Sequence, residues 1–450
     1  MATEKLVDGL NAFGYAYGFG EEKIPANLEI KGEEVELTLL QMNKRDDFFS
    51  DTRDEIPATV MFRSTEVTVN LSQLRERRSK MQLFTGLQTK TYRCGRAVHT
   101  VADIDHKHIH GMRSEIEGFD RWANQFAISQ QVELDSETNG FKAYTMKAQL
   151  RDAISLGSRL NVEVGSGFTI PSPARYSTTY SLHNIATLET RTDELCSWEE
   201  HRQVHRMIQD LLCLAYGYPC SLELKKVLRD DNQPKLFEEI KSSGKRVWNE
   251  SKEEDFGRKR WFEPNKDFSK TLPLFSLEDT DVDKLSVWID EFEKWSRPTW
   301  IAVESIFQPY LAAESRMLQI GAALEALGYA IWLYDENEGD ASTCGKKFCK
   351  GKRSKCQKPG CNKPNAAKYF ERVSKDIPLA ELGIAPEESA ETWSQTFNEV
   401  YKGCKHADNS LPDGEEAYFR AKQGLQVIRC WLAKRLGVSD ETLMAHKDNL

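Results

Sequence analysis

WSQTFNEVYKGCKH, residues 393–406, sets Trp393, Phe397, Val400, Tyr401 and Cys404 at i, i+4, i+7, i+8 and i+11. That spacing draws one apolar stripe along an α-helix, and the loop-forming run Asn409-Ser410-Leu411-Pro412-Asp413-Gly414 ends it. Working outward, the same helical period recurs over 284–306, 311–334, 366–375 and 414–436, with Gly and Pro at the joins. Residues 284–450 therefore read as an all-α helical bundle. Beside the stripe, Asn398, Lys402 and His406 fall at i, i+4 and i+8, with Lys405 next to them. An amide, two cations and an imidazole at a helix end can perform general acid/base work on a phosphate; a solvated helix edge is the plainer reading.

Upstream the period shortens to two. Leu28-x-Ile30, Val35-x-Leu37-x-Leu39, Val67-x-Val69-x-Leu71 and Val162-x-Val164 alternate apolar with polar, as half-buried strands do. Residues 1–190 are expected to form a β-rich domain, an antiparallel sandwich or open barrel. From about residue 192 the sequence TRTDELCSWEEHRQVHRMIQDLLCLAYGYP takes helical spacing at Trp198, Met207, Leu211 and Leu214 and stops at Gly217 and Pro219. Residues 191–283 then read as this helix plus a mixed, charged connecting subdomain with strand-like fragments at Lys225–Val227 and Arg246–Trp248. The fold class expected is α+β and multidomain, as suits 450 residues.

The joint between two of the C-terminal helices carries CGKKFCKGKRSKCQKPGC, residues 344–361, in which Cys344, Cys349, Cys356 and Cys361 form two C-x4-C pairs. Four thiolates in a loop almost free of apolar residues suit a structural zinc ion, whose ligation would supply the folding energy that the loop lacks. A disulfide-stapled loop or a Lys-rich insertion with incidental cysteines are the alternatives. Nine Lys or Arg and no acid lie between Lys346 and Lys368, against a formal charge of −9 for the chain. Lys346, Lys347, Lys350, Lys352, Arg353 and Lys355 are thus candidates to hold RNA phosphates at one place on an otherwise acidic protein.

The N-terminus has neither a basic n-region nor an apolar h-region, no run of eighteen apolar residues occurs, and a cytoplasmic protein with no membrane partner is expected. The remaining cysteines, Cys94, Cys196, Cys213, Cys220, Cys404 and Cys430, are scattered in apolar or amphipathic surroundings and read as reduced core thiols. His106, His108 and His110 would share one face of a strand and could take part in metal binding, against an exposed polar face. His201-x3-His205 has zinc-compatible helical spacing but lacks the Glu of a metalloprotease motif and reads as a solvated helix edge. No phosphate-binding loop, dinucleotide glycine fingerprint or serine-hydrolase elbow is present, which sets aside nucleotide hydrolysis, dehydrogenase and serine-hydrolase chemistry.

Two stretches of the C-terminal third, ESRMLQIGAALEALGYAIWLYD (314–335), which contains Glu325, and VYKGCKHADNSLPDGEEAYFRAKQGLQVIRCWLAKRLGV (400–438), resemble the HEPN domain of ApeA-like anti-phage proteins. HIHGMRSEIEGFDRWA (108–123) and DLLCLAYGYP (210–219) resemble the ApeA N-terminal domain, so the likeness spans most of the chain. The resemblance implies an abortive-infection protein that cleaves RNA, such as tRNA or another host or phage RNA, without a catalytic metal. It also implies a homodimer or higher homo-oligomer and a phage-derived trigger, with the N-terminal domain sensing or gating. His406 would be the acid/base residue, Lys402 and Lys405 would hold the phosphate, Asn398 and Asp408 would orient the site, and Glu325 would face it. The chain departs from the HEPN Arg-x4-6-His pattern, because Tyr401, Val400 and Glu399 occupy the positions where the Arg would stand. A non-catalytic RNA-binding or sensor module therefore stands as the alternative function.

Overall fold

The computed structural model describes residues 5–42, 56–82, 87–100, 103–135, 140–170, 181–231, 248–258, 271–336 and 365–450. Its first six strands are β1 (Asn11–Gly18), β2 (Gly20–Lys31), β3 (Glu34–Met42), β4 (Thr59–Ser64), β5 (Thr68–Gln82) and β6 (Leu87–His99). They pair antiparallel in the order β6-β3-β2-β1-β4-β5, and β5 returns to β6, so the sheet closes into a barrel. The period-two residues read from the sequence point inward: Leu28, Ile30, Leu37, Leu39, Val69 and Leu71 are all buried in its core. Closure leaves fewer free edges than the sandwich that the alternation equally allowed.

The chain continues through β7 (His108–Ile116), α1 (Phe119–Trp122), β8 (Ile128–Leu134), β9 (Phe141–Ala148), β10 (Ile154–Gly157), β11 (Val162–Thr169) and β12 (His183–Ser197). After α2 (Trp198–Tyr216) come β13 (Leu222–Leu228) and β14 (Trp248–Glu253). A second run of strands follows the order β10-β11-β12-β7-β13-β14 and joins the barrel where β14 pairs with β6; β8 and β9 form a separate two-stranded ribbon. Residues 191–283 are thus not a separate connecting subdomain. Leu222–Leu228 pairs with β7, and Trp248–Glu253 bridges to the barrel. The helix expected from about 192 begins only at Trp198, because β12 runs through Ser197. There the Ser197 hydroxyl and the Glu200 carboxylate form a capping box.

The C-terminal elements are α3 (Val282–Asp290), α4 (Phe292–Phe307), α5 (Ala313–Ala330, prolonged by a π-helical turn Ile331–Asp335), α6 (Ala366–Ser374), α7 (Ala390–Lys405), α8 (Gly414–Arg435) and α9 (Asp440–Ala445). The single helix expected over 284–306 is interrupted at Glu291, and α9 was not anticipated. α5 lies at the centre, against α4, α6, α7 and α8. By length and composition the stretch Ala313–Asp335 could cross a membrane, but half of its most apolar window is buried inside the protein. One apolar core runs from Leu188 on the second sheet through Leu211 on α2 to Trp295, Leu324 and Phe397, while the barrel keeps its own. The six scattered cysteines are all free thiols, four of them buried.

Candidate functional site

α7 begins at an N-cap, Ser389, whose hydroxyl accepts from the Thr392 N–H, and it ends at His406, which has left the helix with extended backbone angles. The apolar stripe is buried as its spacing requires: Trp393, Phe397, Val400 and Tyr401 face α5, α6 and α8. Lys402, Lys405 and His406 are exposed around the last turn. Beyond them the chain folds back over the helix end. A Cβ at Gly403 would come within 2.8 Å of the Ser410 carbonyl and 2.9 Å of Pro412 Cδ, so only glycine admits this return. Asn409 completes it, donating from its amide to the Lys402 carbonyl at 3.3 Å and from its backbone N–H to the His406 carbonyl at 3.0 Å. The helix end thereby displays two ammonium groups and an imidazole on a pinned loop.

Glu325, on α5, faces this end across the bundle. The Tyr401 hydroxyl donates to Glu325 Oε2 at 3.3 Å, and Lys405 Nζ donates to the Tyr401 oxygen at 3.2 Å and to Glu325 Oε2 at 3.5 Å. The ammonium also lies 4.8 Å from the centre of the Tyr401 ring. Burial works to lower the Lys405 pKa, but the Tyr401 hydroxyl and Glu325 outweigh it and raise the value, so the side chain stays a cation at neutral pH. Burial raises the Tyr401 phenol, against the pull of Lys405, and keeps it neutral. The apolar stripe alone does not disclose this polar tip of Tyr401. The available signal was that a phenol needs a hydrogen-bond partner when its ring is buried.

Two further expected members take no part in this hydrogen-bonded cluster. Asn398 is 6% exposed and its Oδ1 has no partner among the described residues. Each four-residue step on an α-helix advances about 40° around the axis, so two steps separate Asn398 from His406 by about 80° and turn the amide into the bundle. Asp408 is exposed on the loop, with no ion pair or hydrogen bond of its carboxylate among the described residues. The four cysteines Cys344, Cys349, Cys356 and Cys361, with Lys346, Lys347, Lys350, Lys352, Arg353 and Lys355, lie outside the described residues. Among the described residues no group of three or more His, Cys, Asp or Glu is arranged to hold a metal ion.

The histidines of the N-terminal region do not gather either. β7 starts at His108, so His106 sits in the turn before it, where burial and then the nearby Arg229 push its pKa down to about 4. His108 is exposed, and His110 Nδ1 accepts from the Asp230 N–H at 3.3 Å. His201 and His205 are core residues, not a solvated edge: both are fully buried where α2 packs on the sheet. Thr190 Oγ1 lies 2.8 Å from His201 Nδ1 and 3.1 Å from His205 Nε2, and Ser114 Oγ lies 2.5 Å from His205 Nδ1. Burial lowers their pKa values to about 4 and about 3, which keeps both rings neutral.

The family described as ApeA N-terminal domain 1 matches residues 13–288, and the family described as Apea-like HEPN matches residues 318–442. The chain belongs to the ApeA family. It is an anti-phage defence protein that carries a HEPN module. The HEPN match covers α5 to α9 apart from the ends, and therefore all of Glu325, Tyr401, Lys402, Lys405 and His406. The ApeA N-terminal match runs through the barrel, the second sheet, α2 and most of α3, which agrees with β13 and β14 being built into that sheet. Comparison with curated proteins and with solved structures gave no significant match.

Proposed function

We propose that this ApeA-type protein is a metal-independent endoribonuclease whose N-terminal region senses the phage or gates the HEPN module. The observation that carries the reading is the end of α7, where Lys402, Lys405 and His406 are displayed together above Glu325. In the reaction, His406 accepts the proton of an RNA 2′-hydroxyl as its oxygen attacks the adjacent phosphorus. The bond from phosphorus to the 5′-oxygen breaks, a proton is delivered to that oxygen, and a 2′,3′-cyclic phosphate and a 5′-hydroxyl result. Lys402 and Lys405 hold the phosphate and offset its growing charge. Glu325, through Tyr401, fixes the direction of Lys405. Pairing of two such sites across a homodimer would supply a base and an acid from two His406 rings.

The insertion between α5 and α6 leaves α5 about eleven residues beyond Glu325, roughly 16 Å along the axis. A zinc ion on Cys344, Cys349, Cys356 and Cys361 would hold that loop rigid and set its lysines near the path of the RNA. One observation favours the second reading, an RNA-binding module that does not cut. Where the HEPN pattern has Arg, this chain has Tyr401, 4% exposed and hydrogen-bonded to Glu325, which leaves no guanidinium to fork onto the phosphate. Incubating the purified protein with RNA in EDTA decides between them. Cyclic-phosphate ends support the nuclease; retarded but intact RNA supports the binding module.

A further inference from the structure

The strand β1, NAFGYAYG, is built inside out. Ala12 and Ala16 face the barrel core together with Gly14, while Phe13, Tyr15 and Tyr17 point to solvent at 72%, 42% and 37% exposure. The register is enforced sterically, since a Cβ at Gly14 would come 2.1 Å from the Arg63 carbonyl. Burying a large apolar side chain is worth about 1.5–3 kcal/mol, and part of that is forgone at three alternate positions. They are not a cross-strand packing ladder: the residues opposite are Asn27, Pro25, Arg63 and Met61, none aromatic or β-branched. Alternate residues put the rings about 6.6 Å apart along one face.

We infer that this face is a stacking platform for single-stranded RNA, with Phe13, Tyr15 and Tyr17 taking successive bases and Lys23 and Arg63 taking the flanking phosphates. The ammonium of Lys23 lies 4.5 Å from the Tyr15 ring centre and the guanidinium of Arg63 lies 5.5 Å from that of Tyr17. Arg63 is the one charged residue of β4, while β2 carries Glu21 and Glu22 ahead of Lys23 and a Glu29 that is paired with Lys31 at 2.8 Å. Rings interleaved with cations suit a ligand that alternates flat apolar faces with negative charge, as the bases and phosphates of a single strand do. That the nucleic acid is RNA rests on the ribonuclease reading. The barrel would then hold the strand that the HEPN module acts on.

The test uses the full chain and a fluorescent mixed-sequence 2′-O-methyl RNA, which cannot be cut by 2′-hydroxyl attack. Base–aromatic stacking of about 1–3 kcal/mol per base predicts that Phe13→Ala/Tyr15→Ala/Tyr17→Ala raises Kd at least about a hundredfold, with the salt dependence unchanged. Lys23→Ala/Arg63→Ala should instead reduce the slope of log Kd against log salt by about 1.4. Crosslinking of 4-thiouridine RNA to the wild type, which needs no variant to fold, should label residues 11–18. Unchanged affinity in the triple variant, or crosslinks confined to the bundle, overturns the platform. Loss of phage protection with RNA affinity intact would assign the face to a protein partner and also overturns it. If the platform binds but ordinary RNA stays uncut, the ribonuclease reading fails while this one stands; if RNA is cut and the triple variant binds and cuts as before, the reverse holds.

Discussion

Arg429, on α8 of the HEPN module, donates from Nε to the carbonyl of Leu214 at 2.7 Å, in the last turn of the N-terminal region's α2. Its Nη2 reaches the carbonyls of Ala215 and Asn449 at 3.0 and 2.8 Å. The side chain is buried, and burial lowers its pKa to about 10, so it remains a cation that offsets the negative end of α2. This is a physical link between the two regions, in addition to their shared apolar core. Arg429→Leu takes this donor from two buried carbonyls and one part-buried one and should cost roughly 3 kcal/mol. Calorimetry should show a lower Tm and a separation of the unfolding into two transitions; one unshifted transition would show that the link carries no stability.

Tyr401 depends on Gly321 in a similar way. A Cβ at position 321 would lie 2.3 Å from the Tyr401 ring, so Gly321→Ala must push the ring away and should destabilise the bundle by about 1–3 kcal/mol. Tyr401→Phe keeps the packing and removes only the hydroxyl between Lys405 and Glu325. Its Tm should fall little, while RNA cleavage should drop several-fold through kcat. Equal cleavage in Tyr401→Phe and wild type would leave the hydroxyl without a part in positioning Lys405.

His406→Ala should remove RNA cleavage and phage protection by about 10²–10⁴-fold without changing the Tm, because the imidazole is exposed and makes no core contact. Lys402→Ala and Lys405→Ala should lower cleavage less and flatten the salt dependence of RNA binding. A His406→Ala protein that still cuts at the wild-type rate refutes the assignment.

Stability should fall in acid through the buried histidines. His106, His201 and His205 have folded pKa values of about 4, 4 and 3, below the usual 6.5, so the unfolded chain binds more protons between these limits. Their contribution is complete above pH 6.5 and is lost as pH falls toward 4, at up to about 1.4 kcal/mol per pH unit for each ring. A Tm profile that stays level from pH 7 to pH 4.5 would contradict this. In His201→Gln/His205→Gln the plateau should be lower and the acid limb shallower.

One zinc ion per chain is expected from metal analysis of the purified protein, bound by Cys344, Cys349, Cys356 and Cys361. Cys349→Ser/Cys356→Ser should lose it and weaken RNA binding. Retention of full zinc by that variant would exclude these thiolates as the ligands.

Periodicity was enough to find the elements. The alternation at Val35-x-Leu37-x-Leu39 and the stripe from Trp393 to Tyr401 each depend on one side chain after another along a single element, and local spacing carries that information. The exposed trio Lys402, Lys405 and His406 was legible for the same reason. Asn398 is buried where the sequence suggests an open edge, because about 40° of rotation per four residues decides which part of a helix edge meets the neighbouring helices. His201 and His205 were misread because their polarity suggested solvent, and only the sheet packed above α2 supplies the hydroxyls of Thr190 and Ser114 that let them be buried. The closure of β5 onto β6, the insertion of β13 and β14 into the second sheet, and the meeting of Glu325 with Tyr401 and Lys405 join residues far apart in the chain. No local pattern records such pairings, because packing and hydrogen bonding across elements choose them only once the chain has folded.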